Sequence, residues 1–139
     1  MYKSMTIWFI DLKVLSIDND KCIKELCVMN VNDVLNPTHY VFYEPLTDNF
    51  TNYGLRSKAI CQTCFNNNSF KNDLFYVVDS YNGDNIKNIK SIFPCLRITN
   101  YNMSLTSVPA NINCPWRAHG DICAYKQCLV GALDYLKNV

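Results

Sequence analysis

A chain of 139 residues and 16.1 kDa fills one domain and has no room for two of ordinary size. With 49% hydrophobic and 18% charged residues it can bury a core, which excludes a disordered tail; 4 Gly and 5 Pro exclude collagen-like or linker-rich architecture. Lys plus Arg (13) against Asp plus Glu (12) leaves a formal charge of +1, which excludes capture of nucleic acid by bulk charge but allows a local basic patch.

The apolar run at 6–10 ends where Asp11 and Lys13 interrupt it. It is shorter than the apolar region of a signal peptide and lacks a small-residue cleavage site, and no segment approaches the ~20 apolar residues of a membrane span. The expected compartment is intracellular, with no membrane partner. Residues 6–17 are dense in β-branched and aromatic side chains (Ile7, Trp8, Phe9, Ile10, Val14, Ile17) and predict a largely buried strand. Asp18-Asn19-Asp20 predicts a turn. A second strand is expected over 23–31, with Glu25 inside it, and a third over 39–43 after the break at 32–37. Tight connections make these three an antiparallel meander. Residues 46–69 are irregular, polar and rich in Asn. A short apolar strand is expected over 74–78, and Ile86, Ile89 and Ile92, spaced by three, predict a short helix over 84–92.

The closing helix is the plainest element. From 121 to 138, Ile122, Tyr125, Leu129, Ala132, Leu133 and Leu136 fall on one helical face, with Asp121 as the expected N-cap and Lys137 in the last turn. Gly131 costs about 1 kcal/mol of helix propensity and allows close packing on a sheet. Lys126, Asp134 and Lys137 are expected on the solvated side. The fold class is α/β (α+β): a mixed sheet whose first three strands are antiparallel, flanked by helices, over 1–139 as one domain.

Eight cysteines in an intracellular chain point to metal ligation more than to disulfides. Cys114-Pro-Trp-Arg-Ala-His119-Gly-Asp-Ile-Cys123 is a C-x4-H-x3-C arrangement. Two thiolates and an imidazole suit Zn2+, and Cys123 at the helix start lies where the dipole and free N–H groups favour a thiolate. A fourth ligand must come from elsewhere. Cys61 and Cys64 form a single CxxC with no second pair to complete a four-sulfur site. Cys22, Cys27, Cys95 and Cys128 are expected to be small buried hydrophobes.

Among the carboxylates, Asp11 is a potential metal ligand, but the next position on its strand face is Lys13, whose ammonium repels a divalent cation. Glu25, set among Ile23, Leu26 and Val28, is expected either to be buried with a partner or to face solvent on an edge strand. Tyr40, Phe42 and Tyr43 are expected in the sheet core, with base stacking as the alternative.

Ile7-Trp8-Phe9-Ile10-Asp11, Ile23-Lys24-Glu25-Leu26, Thr51-Asn52-Tyr53-Gly54-Leu55 and Cys114…His119…Cys123-Ala124, in that order, resemble the DEDDh-type 3′–5′ exonuclease branch of the RNase H-like fold. The likeness is to its degenerate insect and insect-virus relatives. The chain is also similar to the Maelstrom domain, which replaces catalytic carboxylates with a Glu-Cys-His-Cys zinc site. The resemblance implies Zn2+ held by Glu25, Cys114, His119 and Cys123. An active relative carries Asp-x-Glu on strand one where this chain has Asp11-x-Lys13, and has an acid where Cys123-Ala124 stands.

The expected function is a catalytically inactive zinc-binding RNase H-like module that binds single-stranded RNA or a protein partner, encoded by a virus or mobile element. The alternatives are a ribonuclease or exonuclease using Asp11, Glu25 and His119, and a viral antagonist of host defence or virion component.

Overall fold

The computed structural model describes residues 5–17, 20–41, 70–78, 84–102 and 123–138. Five strands, β1 (Ile7–Ile17), β2 (Asp20–Asn30), β3 (Thr38–Val41), β4 (Leu74–Val78) and β5 (Arg97–Tyr101), form one mixed sheet in the order β3-β2-β1-β4-β5. The first three strands are antiparallel, as expected, while β4 runs parallel to β1 and β5 parallel to β4. Strand β2 therefore runs against the other four. Two helices among the described residues, α1 (Asp84–Ile92) and α2 (Ala124–Lys137), cover the sheet, giving an α+β fold.

Alternation along β1 divides the core in two. Ile10 and Leu12 join Leu26, Val28, Phe75, Val77 and Ile98 beneath Ile89 of α1, with Trp8 and Val14 packed against them. Phe9 points the other way and joins Cys27, Met29 and Val31 beneath Ala124, Cys128 and Ala132 of α2. A strand with two covered faces needs hydrophobic residues at both parities, which is why β1 reads as a nearly continuous apolar run. The β1–β2 register shifts between Lys13 and Val14: Lys13 pairs with Glu25 and Val14 with Ile23, leaving Lys24 as the extra residue of a bulge. The bulge lets Ile23 share a face with Leu26 while Glu25 stays on the face of Cys27 and Met29.

Several expectations are corrected. Helix α2 begins at Ala124 with Cys123 as its N-cap, the thiol accepting from the Lys126 amide at 3.3 Å; Asp121 lies outside the described residues. Ala132 is buried, as expected, and Tyr125 and Leu129 pack against the core, but Leu133 and Leu136 are exposed, and the helix buries Cys128, Val130, Gly131 and Asp134 instead. The reason is Gly131. A Cβ there would come within 2.6 Å of the Phe9 ring and of Val78, so the backbone itself seats on the sheet and turns the leucines outward. Asp134 is not solvated, because Tyr101 Oη donates to its Oδ2 at 2.7 Å. Cys95 is exposed, since it falls in the link between α1 and β5, whereas Cys27 and Cys128 are buried as expected. Tyr40 stands on edge strand β3 and is exposed; Phe42 and Tyr43 lie outside the described residues. Strand β5 carries no expectation from the sequence: only Ile98 of its five residues is buried, too little for a pattern.

Candidate functional site

The α2-facing side of the sheet changes character along the strands. Phe9 and Met29 pair in an apolar row. The next row, read across β1, β2 and β3, is Asp11, Cys27 and His39, and the row after it is Lys13, Glu25 and Val41. Polar groups thus gather beneath the N-terminal end of α2.

Glu25 is at the centre of this cluster. It is 3% exposed, so its carboxylate has left water and needs partners. One oxygen, Oε1, accepts from the backbone N–H of Ala124, the first helical residue of α2. The other, Oε2, lies 3.2 Å from His39 Nε2. An anion at a helix N-terminus is favoured both by the macrodipole and by the unsatisfied amides there. Glu25 and the Cys123 Sγ that accepts from Lys126 therefore cap α2 together. The His39 ring is held in turn by Tyr125, stacked at 5.7 Å between centroids.

Asp11 is 1% exposed and sits in the middle of β1, not at a strand end. Lys13 Nζ approaches its Oδ2 at 3.3 Å, the lysine being about one-third exposed at 32%. The like-face spacing that made Lys13 an obstacle to a divalent ion makes it the countercharge of Asp11.

Cys128, one turn into α2, donates to the Cys27 carbonyl at 3.5 Å. Burial raises its pKa well above the usual thiol value, helped by its contact with Cys27 and by the nearby charges of Asp11 and Glu25. This thiol stays protonated and inert. Tyr101, at the far end of the helix, is pushed up to about 12 by burial and then by its hydrogen bond to Asp134.

Of the expected metal ligands, Glu25 and Cys123 are described, and the structure brings them to the same helix start. Cys114 and His119 lie outside the described residues, as do Cys61 and Cys64. Among the described residues, no three His, Cys, Asp or Glu side chains are grouped so as to hold a metal ion. The chemistry of the donors suits zinc: each carboxylate oxygen has a second lone pair beyond the bond it accepts, and Cys123, one residue before the amide that Glu25 accepts from, carries a sulfur donor. His39 is the participant the sequence reading missed. It enters through the β2–β3 register, which sets it opposite Cys27 and diagonal to Glu25, and only a predicted hairpin register would have revealed it.

No helix among the described residues is long and apolar enough to cross a membrane. Compared with family models, with curated proteins and with solved structures, the chain matches none.

Proposed function

We propose that this chain is a zinc-stabilised RNase H-like module without nuclease activity, acting by binding RNA or a protein partner. The observation that carries the reading is the buried Glu25 carboxylate at the first amide of α2, one residue past Cys123. A Glu-Cys-His-Cys site requires that meeting of β2 with the tail. The mixed sheet with its first three strands antiparallel and helices against it agrees with the coarser α+β part of that reading.

Zn2+ held by Glu25, Cys114, His119 and Cys123 would cross-link Glu25 to ligands 89 to 98 positions later in the chain, and binding free energy of that kind is folding free energy. Nuclease chemistry with two metal ions needs converging carboxylates. Here Asp11 is paired with Lys13, which stands where a second strand-one carboxylate would be needed.

Elemental analysis of the purified chain should find about one zinc per molecule. Replacing Cys114 or Cys123 by Ser should lower the melting temperature sharply. The Cys123→Ser variant is informative because serine is itself a good N-cap, so the cap survives and only the sulfur ligand is lost. Unchanged stability in both variants counts against the site. Labelled RNA incubated with Mg2+ or Mn2+ should stay intact; cleavage that disappears in Asp11→Ala would restore the nuclease reading.

A further inference from the structure

Consecutive residues at the start of α2 supply three different groups. Cys123 carries a sulfur, Ala124 an amide N–H from which Glu25 Oε1 accepts, and Tyr125 a ring stacked on His39 at 5.7 Å between centroids. The His39 side chain is only 6% exposed, although β3 is an edge strand of the sheet. An imidazole is costly to bury without a polar partner. Its partner is Glu25, whose Oε2 lies 3.2 Å from His39 Nε2.

The β2–β3 register sets His39 opposite Cys27 and Val41 opposite Glu25, so the imidazole reaches the carboxylate along the diagonal. With its proton on Nε2 the ring donates to Oε2. The two oxygens of Glu25 are then held from two different elements, Oε1 by α2 and Oε2 by β3. Donors on both oxygens fix the carboxylate against rotation about its Cγ–Cδ bond, and each oxygen keeps a lone pair for one further bond.

We propose that His39 is a positioning residue for zinc: its Nε2–H holds Glu25 Oε2 so that the carboxylate meets the ion in one orientation, and Tyr125 holds the imidazole in turn. The inference rests on the zinc reading of the proposed function and adds a residue outside the four ligands. His39 stands beside the ligands and not among them, because Glu25, His39 and Cys123 are not grouped as a metal site among the described residues. Hydrogen bonds to a ligating carboxylate orient it, and losing such a bond costs about 10–100-fold in metal affinity. A packing role makes the opposite demand, since the shape of the ring would then matter and its donor would not.

Two substitutions separate donor from ring. His39→Phe keeps a ring against Tyr125 and removes the donor, whereas His39→Gln removes the ring and keeps an N–H donor. Zinc affinity of the purified full chain, read by competition with a chromophoric chelator, should fall about 10–100-fold in His39→Phe and stay within about threefold of wild type in His39→Gln. In a Glu25→Gln background, His39→Phe should change zinc affinity by less than about twofold, because the group through which it acts is gone. Wild-type affinity in His39→Phe, an equal or larger loss in His39→Gln, or an undiminished effect in the Glu25→Gln background would each overturn the inference. Should His39→Phe not fold, His39→Gln decides alone: affinity near wild type supports the donor, and a loss of about tenfold or more overturns it. A wild-type chain that binds no zinc overturns the zinc reading and this inference together; one that binds zinc no more tightly than His39→Phe overturns this inference alone.

Discussion

The two faces of the sheet solve the problem of burial differently. Beneath α1 the core is hydrocarbon, built from Ile10, Leu12, Leu26, Val28, Phe75, Val77, Ile89 and Ile98, with one buried carboxylate, Asp73, bonded to Thr6 N and to Trp8 Nε1 where Trp8 packs against it. Beneath α2 the sheet buries Asp11, Glu25 and, on the helix itself, Asp134. Hydrocarbon burial is favourable wherever it occurs. A buried carboxylate is costly unless its geometry is satisfied, so its presence needs a reason beyond packing. The comparison teaches that the α1 face holds the fold together by area, while the α2 face holds specific groups in place at some expense.

The comparison can be broken most severely at Glu25. Glu25→Ala leaves His39 without its carboxylate and removes a cap from α2, and should cost about 3–5 kcal/mol in denaturant unfolding. A loss under 1 kcal/mol would mean that the pair is incidental. Phe75→Ala on the other face should cost a similar ~3–5 kcal/mol by opening a cavity, yet the folded variant should bind the proposed zinc as wild type does. That contrast sharpens the division between area and chemistry.

Smaller effects follow at the far end of α2. Gly131→Ala should destabilise by about 1–3 kcal/mol, because the added methyl meets the Phe9 ring and Val78; a stabilised variant would show that the helix can shift outward freely. Tyr101→Phe should cost about 1.5 kcal/mol by removing the hydrogen bond to Asp134. The unfolded phenol loses its proton near its ordinary value of 10.0, while the folded one keeps it to about 12. Unfolding therefore releases a proton above pH 10, and the stability due to Tyr101 is full below pH 10 and is lost as pH rises through 12. The gap between wild type and Tyr101→Phe in chemical denaturation should close over that window. Smallest of all, a thiol reagent under native conditions should label exposed Cys95 and spare Cys27, Cys123 and Cys128, read by mass spectrometry.

Much of the fold is legible in the sequence because β1, β2 and β4 are buried strands whose β-branched and aromatic runs leave no competing pattern. Glu25 is half legible: a lone carboxylate among Ile23, Leu26 and Val28 allows an interior or an edge-strand position, and the pairing of β2 between β1 and β3 selects the interior one. The orientation of α2 is not. Its hydrophobic residues occupy more than one stripe, and while periodicity gives the burial of Ala132, the burial of Gly131 and the exposure of Leu133 and Leu136 are set by close seating on the Phe9 ring. Asp134 resembles a solvated helix charge until β5 brings Tyr101 to it, and β5 is an edge strand with a single buried side chain. His39 depends on strand register, which a periodic pattern does not encode. Local chemistry is readable along the chain, whereas partnerships between distant elements need the fold.

X-ray absorption at the zinc edge of the purified full chain addresses the central claim most directly. Two sulfur neighbours near 2.3 Å and two nitrogen or oxygen neighbours near 2.0–2.1 Å, with one sulfur lost in Cys123→Ser and one light neighbour changed in Glu25→Gln, is the predicted result. A well-folded chain with no zinc, or zinc whose shell is unaltered by both substitutions, would contradict it.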